Sequence, residues 1–422
     1  LWHGTFNFGF RDGPLNGRNA FAPVRGPEQY RRLGLDLESP IWRNHTSLFL
    51  SLHGYLSHDS KTIVAALPSG NFASLASPLT RTLNFSTRVE HALTKTHTLR
   101  AEYQRNAILN GDLGVGDFDL QERAYSANSV EHIFRLSDSG LLTEKAVNEI
   151  RMQARWQDSQ SSSSTDARAV LVLNAFDSGG AQVSNSKRIA DYEVADNLDF
   201  TTGKHAIKTG LLWQFHHYNT SDSQNAGGTF TFSSLAAFES GAPATFTQRL
   251  GSPQVIFNQY EFGWYVQDAV RIRKGLSLDL GLRDEFQSHV ADISGFAPRF
   301  GLAWSPDGKL VVRAGAGIFH EWLDAGTFEQ VLRDDGLHER DLVIQQPGFP
   351  NPLIGGIPLA LPPGKDILDP TVRLPYLEHA SLGLQRSLPA NLSLNISYSY
   401  ERGVHLFRGH NVNAPLPGLG RP

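Results

Sequence analysis

Two adjacent histidines, His216 and His217, are the first candidates for metal ligation in this chain of 422 residues. The residues around them alternate between apolar and polar types, which predicts a β-strand. Because successive side chains of a strand point to opposite faces, the two imidazoles cannot converge on one ion. The sequence therefore favours an ordinary strand-end pair over a metal site.

Other clusters of reactive residues lack the partners that their chemistry needs. His320–Asp324 has no second histidine at the spacing of a zinc-protease helix, and His338–Asp341 has no preceding Gly-rich loop and lysine of the kinase type. Asp112, Asp117 and Asp119 lack the spacing of a calcium loop, so a loop tip is favoured. No Ser, His and Asp set has an interpretable spacing. We therefore predict that the chain is not an enzyme and uses no cofactor and no metal.

Polar residues on alternate positions of predicted strands offer binding chemistry instead. Arg151 and Arg155 share one strand face, where they could bind an anionic solute or pair with carboxylates of another domain. The alternative is that both are solvated charges. Gln214 and Glu261 occupy the polar faces of two further strands. We name these four residues as candidate ligand contacts.

Composition excludes several classes of protein. The 38 Lys and Arg residues against 42 Asp and Glu residues give a net charge of −4, which argues against a nucleic-acid binder. The absence of cysteine excludes disulfide scaffolds, Cys-ligated zinc and iron–sulfur clusters. The sequence contains no run of 18 apolar residues, so no transmembrane helix is predicted. Charged residues make up only 19% of the chain, and nine of the 38 basic residues are lysine.

Alternation with period two runs through most of the chain and predicts about sixteen β-strands. Several are ten residues or longer, whereas strands of globular proteins usually have five or six. A membrane-spanning β-strand needs roughly 9–11 residues. The predicted strands lie near residues 5–11, 30–38, 46–58, 81–90, 96–105, 119–135, 146–157, 167–174, 190–200, 204–218, 258–271, 276–287, 297–304, 309–320, 376–387 and 391–401.

The connections between these strands differ in length. Short turns at 273–275, 305–308 and 389–390 alternate with long loops near 219–257 and 321–375. This order is typical of an up-and-down barrel with tight turns at one end. The alternation breaks between 136 and 200, where one predicted strand is miscounted. No repeat of the kind that builds a β-propeller is present. We predict an all-β fold, an antiparallel up-and-down transmembrane β-barrel.

In such a barrel one strand face meets lipid and the other meets a watery or plugged lumen. Lipid would contact Trp213, Phe215, Phe262 and Trp264. The inward positions would be Arg151, Arg155, Lys208, Gln214, Gln259, Glu261 and Gln267. This arrangement explains the low content of charged residues, because the lipid-facing half of each strand excludes them.

Several segments resemble the TonB-dependent outer-membrane transporters, in particular the Oar-like branch that carries a carboxypeptidase-regulatory-like domain. The segment Tyr265–Asp268 followed by Leu276–Arg283 resembles a central hairpin of that family. Further segments that resemble the family in order and spacing are His3–Phe6, Arg11–Phe21, Pro298–Trp304, Val312–Phe319, Leu384–Arg386, Tyr398, Arg402–Leu406 and Asn411–Pro415. Together they run from one end of the chain to the other, with poor matching in 60–200.

The resemblance implies a 22-stranded barrel, of which residues 1–422 would be one incomplete domain with about sixteen strands. A plug and a TonB-contacting segment would precede Leu1, and the last strands would follow Pro422. It implies energised uptake of an unknown solute through the outer membrane of a Gram-negative-type cell. The expected partners are outer-membrane lipid and lipopolysaccharide, the TonB complex through the absent plug segment, and no nucleic acid.

Two other functions stay open at this point. A non-transporting outer-membrane protein could use the loops 219–257 and 321–375 for adhesion or surface structure. A soluble glycan-binding β-protein is the second alternative, but long aromatic strand faces without charge argue against it.

Overall fold

The computed structural model describes residues 2–15, 17, 26–291, 295–359, 364–412 and 414. Of the segments that resemble the family, Asn16, Arg18–Phe21, Asn413 and Pro415 lie outside this part of the chain.

The described residues form 23 β-strands, two α-helices and two short 3-10 turns, Gly13–Leu15 and Gln121–Arg123. The strands are β1 (His3–Asp12), β2 (Gln29–Trp42), β3 (Thr46–His58), β4 (Lys61–Leu67), β5 (Gly70–Ala76), β6 (Leu79–Ala92), β7 (His97–Leu113), β8 (Tyr125–Thr143), β9 (Ala146–Ser163), β10 (Ala169–Val172), β11 (Phe176–Ser178), β12 (Ser184–Thr202), β13 (His205–Asp222), β14 (Thr229–Phe232), β15 (Thr245–Gly251), β16 (Gln254–Arg273), β17 (Leu276–Gln287), β18 (Ala297–Trp304), β19 (Leu310–His320), β20 (Glu339–Gln345), β21 (Ile357–Leu359), β22 (Tyr376–Ser387) and β23 (Ser393–Val404). The helices are α1 (Leu235–Glu239) and α2 (Ala325–Arg333).

Fifteen of these strands form one large sheet in the order β1-β2-β3-β6-β7-β8-β9-β12-β13-β16-β17-β18-β19-β22-β23. Every pair of neighbours is antiparallel and adjacent in this chain order, which confirms the predicted all-β, up-and-down architecture. Within the described residues, the edge strands β1 and β23 each pair on one side only.

The loops alternate in length along the whole sheet. Short turns at one end join β2–β3, β6–β7, β8–β9, β12–β13, β16–β17, β18–β19 and β22–β23, and the long loops all lie at the other end. The predicted strand at 167–174 does not belong to this sheet. It corresponds to β10, which lies within a long loop. Once it is removed, the predicted break in alternation between 136 and 200 disappears.

Burial alternates with period two, most regularly on β16. From Gln254 to Gly263 the even-numbered residues are exposed and the odd-numbered residues are buried. The outer face carries exposed aromatic side chains such as Trp213 (42% exposed) and Phe262 (39%). The inner face carries Gln259 and Glu261, which are buried. The predicted division between an apolar and a polar face is therefore confirmed for these strands.

The outer face also carries carboxylates, which the sequence pattern did not predict. Asp138 lies 3.0 Å from the Nδ1 atom of His97, and Asp268 lies 2.6 Å from the Nδ1 atom of His205. A paired carboxylate avoids much of the penalty of an unpaired charge in an apolar environment. Each of these aspartates therefore has a neighbouring strand that supplies its partner.

The long loops fold together into a second unit, which we call the cap. Its core is a six-stranded sheet in the order β11-β10-β14-β15-β20-β21, and the hairpin β4–β5 packs against it. Phe230, Phe232 and Phe246 are at most 1% exposed and form its hydrophobic centre with Val172 and Ile344. With Ala65 of the hairpin, four different loops therefore contribute to one core.

Gly228 is required at the entry to β14. It has a φ of +90°, and a Cβ atom there would lie 2.2 Å from the ring of Phe246. A residue with a side chain would meet both backbone strain and a clash. The cap core and its entry turn therefore constrain each other.

We expect Phe232→Ala to destabilise the cap by about 3–5 kcal/mol, the usual cost of removing a buried phenylalanine ring. Hydrogen exchange followed by mass spectrometry should show loss of protection in β14, β15 and β20, with the barrel strands unchanged. Phe72→Ala, at a ring that is 38% exposed on the β4–β5 hairpin, is the matched control. Equal protection in Phe232→Ala and the unmodified protein would contradict this assignment of the core.

Candidate functional site on the inner wall and the cap

A continuous line of polar side chains crosses the inner face of the sheet. Arg155 of β9 lies at its centre and donates to Glu131 of β8 and, at 2.6 Å, to Asp191 of β12. Its remaining nitrogen donates to Gln157 at 2.6 Å. Asn106 of β7 completes the coordination of Glu131 at 2.9 Å. The guanidinium is therefore enclosed by acceptors from three strands.

His216 continues this line towards the next strands. Its Nδ1 atom lies 2.8 Å from Asp191, and its Nε2 atom lies 3.4 Å from Glu261 on β16. Glu261 in turn accepts hydrogen bonds from Gln259 at 2.7 Å and from Gln287 of β17 at 3.0 Å. We call this set, from Asn106 to Gln287, the inner-wall network.

Gln287 joins the network to the longest loop. Its side chain is fully buried, accepts from the backbone N–H of Leu323 at 2.7 Å and donates to the backbone carbonyl of Leu323 at 3.0 Å. These two bonds give partners to the backbone N–H and carbonyl groups of Leu323, which lies in irregular structure just before α2. The start of the loop 321–375 is thereby fixed on the inner wall of the barrel.

The other end of α2 has its own anchor. Arg333 is 8% exposed and donates to the hydroxyl of Thr220 at 3.1 Å, to Glu329 at 2.8 Å and to the backbone carbonyl of Pro253. Glu339 at the start of β20 lies 3.4 Å away. Burial raises the pKa of the Glu339 carboxyl, and the two cations Arg333 and Arg249 oppose that shift. Helix α2 is therefore held at both ends.

Aromatic contacts fill the space between these two anchors. The ring of Phe328 stacks on His289 with centroids 3.9 Å apart and meets the edge of Phe257 at 5.3 Å. Phe257 is an inner-face residue of β16 and is 8% exposed. Helix α2 therefore covers the inner wall at the mouth of the barrel.

The four candidates from the sequence have different positions in this arrangement. Arg155 and Glu261 both belong to the inner-wall network, where Asp191 and His216 connect them. Gln214 is the cross-strand partner of Glu261 and donates to Glu193 at 2.8 Å. Arg151 lies on the same face about 13 Å below Arg155. It is exposed and has no hydrogen bond or ion pair within the described part of the chain.

Sequence reasoning missed the residues that connect the candidates. His216 and His217 do point to opposite faces, as predicted, but His216 is a central member of the network and not an ordinary strand end. The polar residues Asp191 and Glu193 alternate with Tyr192 and Val194, and this pattern could have identified them. No sequence signal indicates that Arg333 reaches the barrel.

The arrangement holds its own side chains and the start of the loop 321–375 in fixed positions. The charged atoms of the inner-wall network are already engaged with one another, so Arg155 is not free to hold an anion. Among the described residues no group of three or more His, Asp and Glu side chains could hold a metal ion. What the geometry does achieve is a fixed loop over a polar wall.

The sequence profile of a family described as an outer membrane beta barrel domain matches residues 65–295 and 289–421. These segments cover well over half of the chain. The chain belongs to this outer membrane β-barrel family. The protein is accordingly located in the outer membrane, with the outer face of the large sheet towards lipid. No curated protein sequence matches it.

Solved structures of outer-membrane transporters and receptors share this fold. The outer membrane transporter YddB from Escherichia coli superposes with a TM-score of 0.67 at 13% identity, over 92% of this chain and 48% of YddB. The siderophore receptor PirA from Pseudomonas aeruginosa gives 0.54 at 12% identity, over 94% of this chain and 55% of PirA. The alcaligin receptor FauA from Bordetella pertussis gives 0.51 at 11% identity, over 89% of this chain and 50% of FauA. The chain spans about half the length of these proteins.

In the part of the chain that the structure describes, neither helix has the length and apolar character that a membrane-crossing helix requires.

We expect Gln287→Leu to release the start of α2 from the wall of this outer-membrane barrel. The variant leaves Glu261 short of one donor and both backbone groups of Leu323 unpaired, each at a cost of about 1–3 kcal/mol. Because the chain has no cysteine, a spin label on Thr327→Cys reports on the mobility of α2 alone. The label should become more mobile in Gln287→Leu. Gln385→Leu, at an exposed inner-face position, is the control. An unchanged spectrum in Gln287→Leu would show that Gln287 does not anchor the loop.

The cap should also respond to pH through Asp177 of β11. Burial and the nearby carboxylate of Asp119 raise the pKa of Asp177. A carboxyl with a raised folded-state pKa contributes most stability below its unfolded pKa, and that contribution is lost as the pH rises through the folded value. Asp177→Asn should therefore stabilise the cap at pH 7 and make little difference at pH 4. Hydrogen-exchange protection factors at both pH values measure this. Asp166→Asn, at an exposed position in the same loop, should leave the protection factors unchanged at both pH values. A stabilisation by Asp177→Asn that is equal at both pH values would refute the role of the charge.

Proposed function

We propose that the chain is the barrel part of a TonB-dependent transporter that takes up a solute across the outer membrane. The observation that carries this proposal is the width of the large sheet. It has fifteen successive strands, and within the described residues its edge strands β1 and β23 are not paired with each other. Barrel diameter grows with strand number, and barrels of about 22 strands hold a plugged lumen. A barrel of more than fifteen strands suits uptake of a large solute through a gated bore.

The polar inner wall and the anchored loop support this function. A transported solute would meet a wall of hydrogen-bonding groups and a mouth narrowed by α2. Arg151 is the inner-face candidate with an unengaged charge among the described residues, and we assign it to solute or plug contact. Arg155 and Glu261 instead hold the wall and the loop in place. We assign no catalytic role to any residue.

We place the plug, the TonB-contacting segment and the remaining strands of a 22-stranded barrel in parts of the protein outside residues 1–422. The likeness to YddB supports this placement, because it covers 92% of this chain but 48% of YddB. The finer assignment to the Oar-like branch is supported by the order of its motif-like segments. Among them, Tyr265–Asp268 and Leu276–Arg283 lie on the neighbouring strands β16 and β17.

The cap favours a second candidate, an adhesive or structural role at the cell surface. Its loops pair with one another in a folded sheet with its own core. Such a rigid surface could bind another cell or a surface polymer without transporting anything. The two functions differ in whether activity requires energy.

The test compares cells that carry the full gene with cells that lack it. Uptake of labelled solutes of several classes, including ferric chelates, oligosaccharides and peptides, is measured with and without a protonophore. The proposal predicts that uptake of at least one class requires both the gene and the proton gradient. Arg151→Gln should alter the apparent affinity for that solute, and Arg313→Gln on β19 serves as the control.

Two outcomes would overturn the proposal. Gene-dependent uptake that resists the protonophore would indicate a passive channel. If deletion of the gene leaves the uptake of every solute class unchanged but reduces surface attachment, the adhesive function would be established.

A further inference from the structure

An aromatic belt crosses the outer face of β7 to β16. Tyr192 stacks against Phe215 with ring centroids 6.2 Å apart, and Phe215 meets Tyr260 at 5.0 Å. Trp156 lies beside them, and its indole N–H donates to the hydroxyl of Tyr192 at 3.3 Å. Tyr103 lies on the same face. Aromatic girdles of this kind mark the boundary between lipid and water in membrane barrels.

The position of the belt along the strands agrees with such a boundary. Trp156 lies ten residues from Ala146 at the short-turn end of β9, and Phe215 lies ten residues from His205 at the same end of β13. A membrane-spanning β-segment needs roughly 9–11 residues. Both strands continue past the belt, to Ser163 and Asp222. The outer-face residues beyond the belt therefore lie at the height of the lipid headgroups.

A groove of about 320 Å³ opens on this outer face directly beyond the belt. It extends across β8, β9, β12 and β13. Its wall includes His132, Trp156, Asp158, Arg188, His217 and Asn219. The groove also contacts Val130 and Ala190, so its lining is mostly apolar; its aromatic end adjoins the lipid tails, and Asp158, Arg188 and the two histidines supply its polar groups.

The positive charge in this region is only partly engaged. The Arg188 side chain is 71% exposed, and its Nε atom donates to Asp158 at 3.2 Å. Its two terminal nitrogens have no partner in the described part of the chain. Arg105 is the cross-strand partner of His132 and makes no ion pair within those residues. Arg105 lies one strand outside the groove, so Arg188 is the guanidinium group that lines it.

The histidines of the groove leave further polar atoms available. His132 uses its Nδ1 atom for the hydroxyl of Tyr103 at 2.8 Å, and His217 uses its Nδ1 atom for Asn258 at 2.7 Å. Their Nε2 atoms remain for a ligand. Arginine is the side chain best matched to a phosphate, since it offers parallel N–H donors.

We propose that this groove binds a phosphate group of the glycolipid in the outer leaflet, a lipopolysaccharide. The phosphate lies against the terminal nitrogens of Arg188, and the acyl chains extend along the aromatic belt. Charge complementarity and the height of the groove at the headgroup level select this lipid over a free solute. The inference rests on the outer-membrane location and not on the transport proposal, so either can fail without the other.

The test measures lipid binding to the purified full-length protein in detergent by native mass spectrometry, with EDTA present to remove bridging cations. Lipopolysaccharide and the same lipid after enzymatic dephosphorylation are compared. We expect the phosphorylated lipid to bind about tenfold more tightly, as one charge-assisted hydrogen-bonded contact implies. Arg188→Gln should remove most of that difference. Lys208→Gln, which removes an exposed and ion-paired cation from the inner face, should retain it.

A gain of affinity makes the test independent of folding defects. Asp158→Asn frees Arg188 from its carboxylate and should tighten binding of the phosphorylated lipid. Equal binding of both lipids by the unmodified protein, or unchanged binding in Arg188→Gln, would overturn the proposal. Competition by inorganic phosphate as strong as that by the lipid would assign the groove to a free anion instead.

Discussion

The structure depends on one constraint: hydrocarbon offers no hydrogen-bond partner to a peptide group. Each spanning strand must therefore find all of its backbone partners in its two neighbours. The pairing of β12 with β13 shows this, since it runs without a break from Asn185 and Asp222 to Thr202 and His205. Irregularities in register occur only near strand ends, for example between Leu141 and Thr143 on β8 and between Arg271 and Arg273 on β16. The central parts of the strands show none among the described residues.

Unbroken pairing also fixes which side chains share a face. A strand that cannot slip by one residue keeps its polar positions inside, where they must find partners in turn. The inner-wall network follows from this. Arg155, Asp191, His216 and Glu261 come from four neighbouring strands and meet because the registers align them. A change of register at any one strand would leave several of these partly buried charges unpaired.

The barrel strands could be predicted from the sequence because their signal is local. Fifteen of the sixteen predicted segments lie in the large sheet, and the three predicted short turns, at 273–275, 305–308 and 389–390, lie where glycine and proline indicate them. The exception, 167–174, is a short apolar run; its strand β10 has four residues and pairs with β14 in parallel. Nothing within a segment of that length shows which sheet it joins.

The candidate site was predictable only in part for the same reason. Alternation placed Arg155 and Glu261 on the inner face, but the link through His216 depends on register between strands. The contact of Arg333 with Thr220 joins residues 113 positions apart.

The cap has its own core, but it is anchored to the strands of the barrel. Strands such as β13 and β16 have 18 and 20 residues, about twice the length that crosses a membrane. Their outer halves rise above the lipid and form the wall on which the cap rests. Gln287 and Thr220 are barrel residues, yet they hold the two ends of α2. The cap core joins phenylalanines of one loop to Val172 and Ile344 of two others, and those loops come together only when the strands below them are correctly paired. Displacement of α2 would therefore break contacts that belong to the barrel wall itself. These are the hydrogen bonds of Gln287 and Arg333, whereas the phenylalanine core of the cap can stay intact.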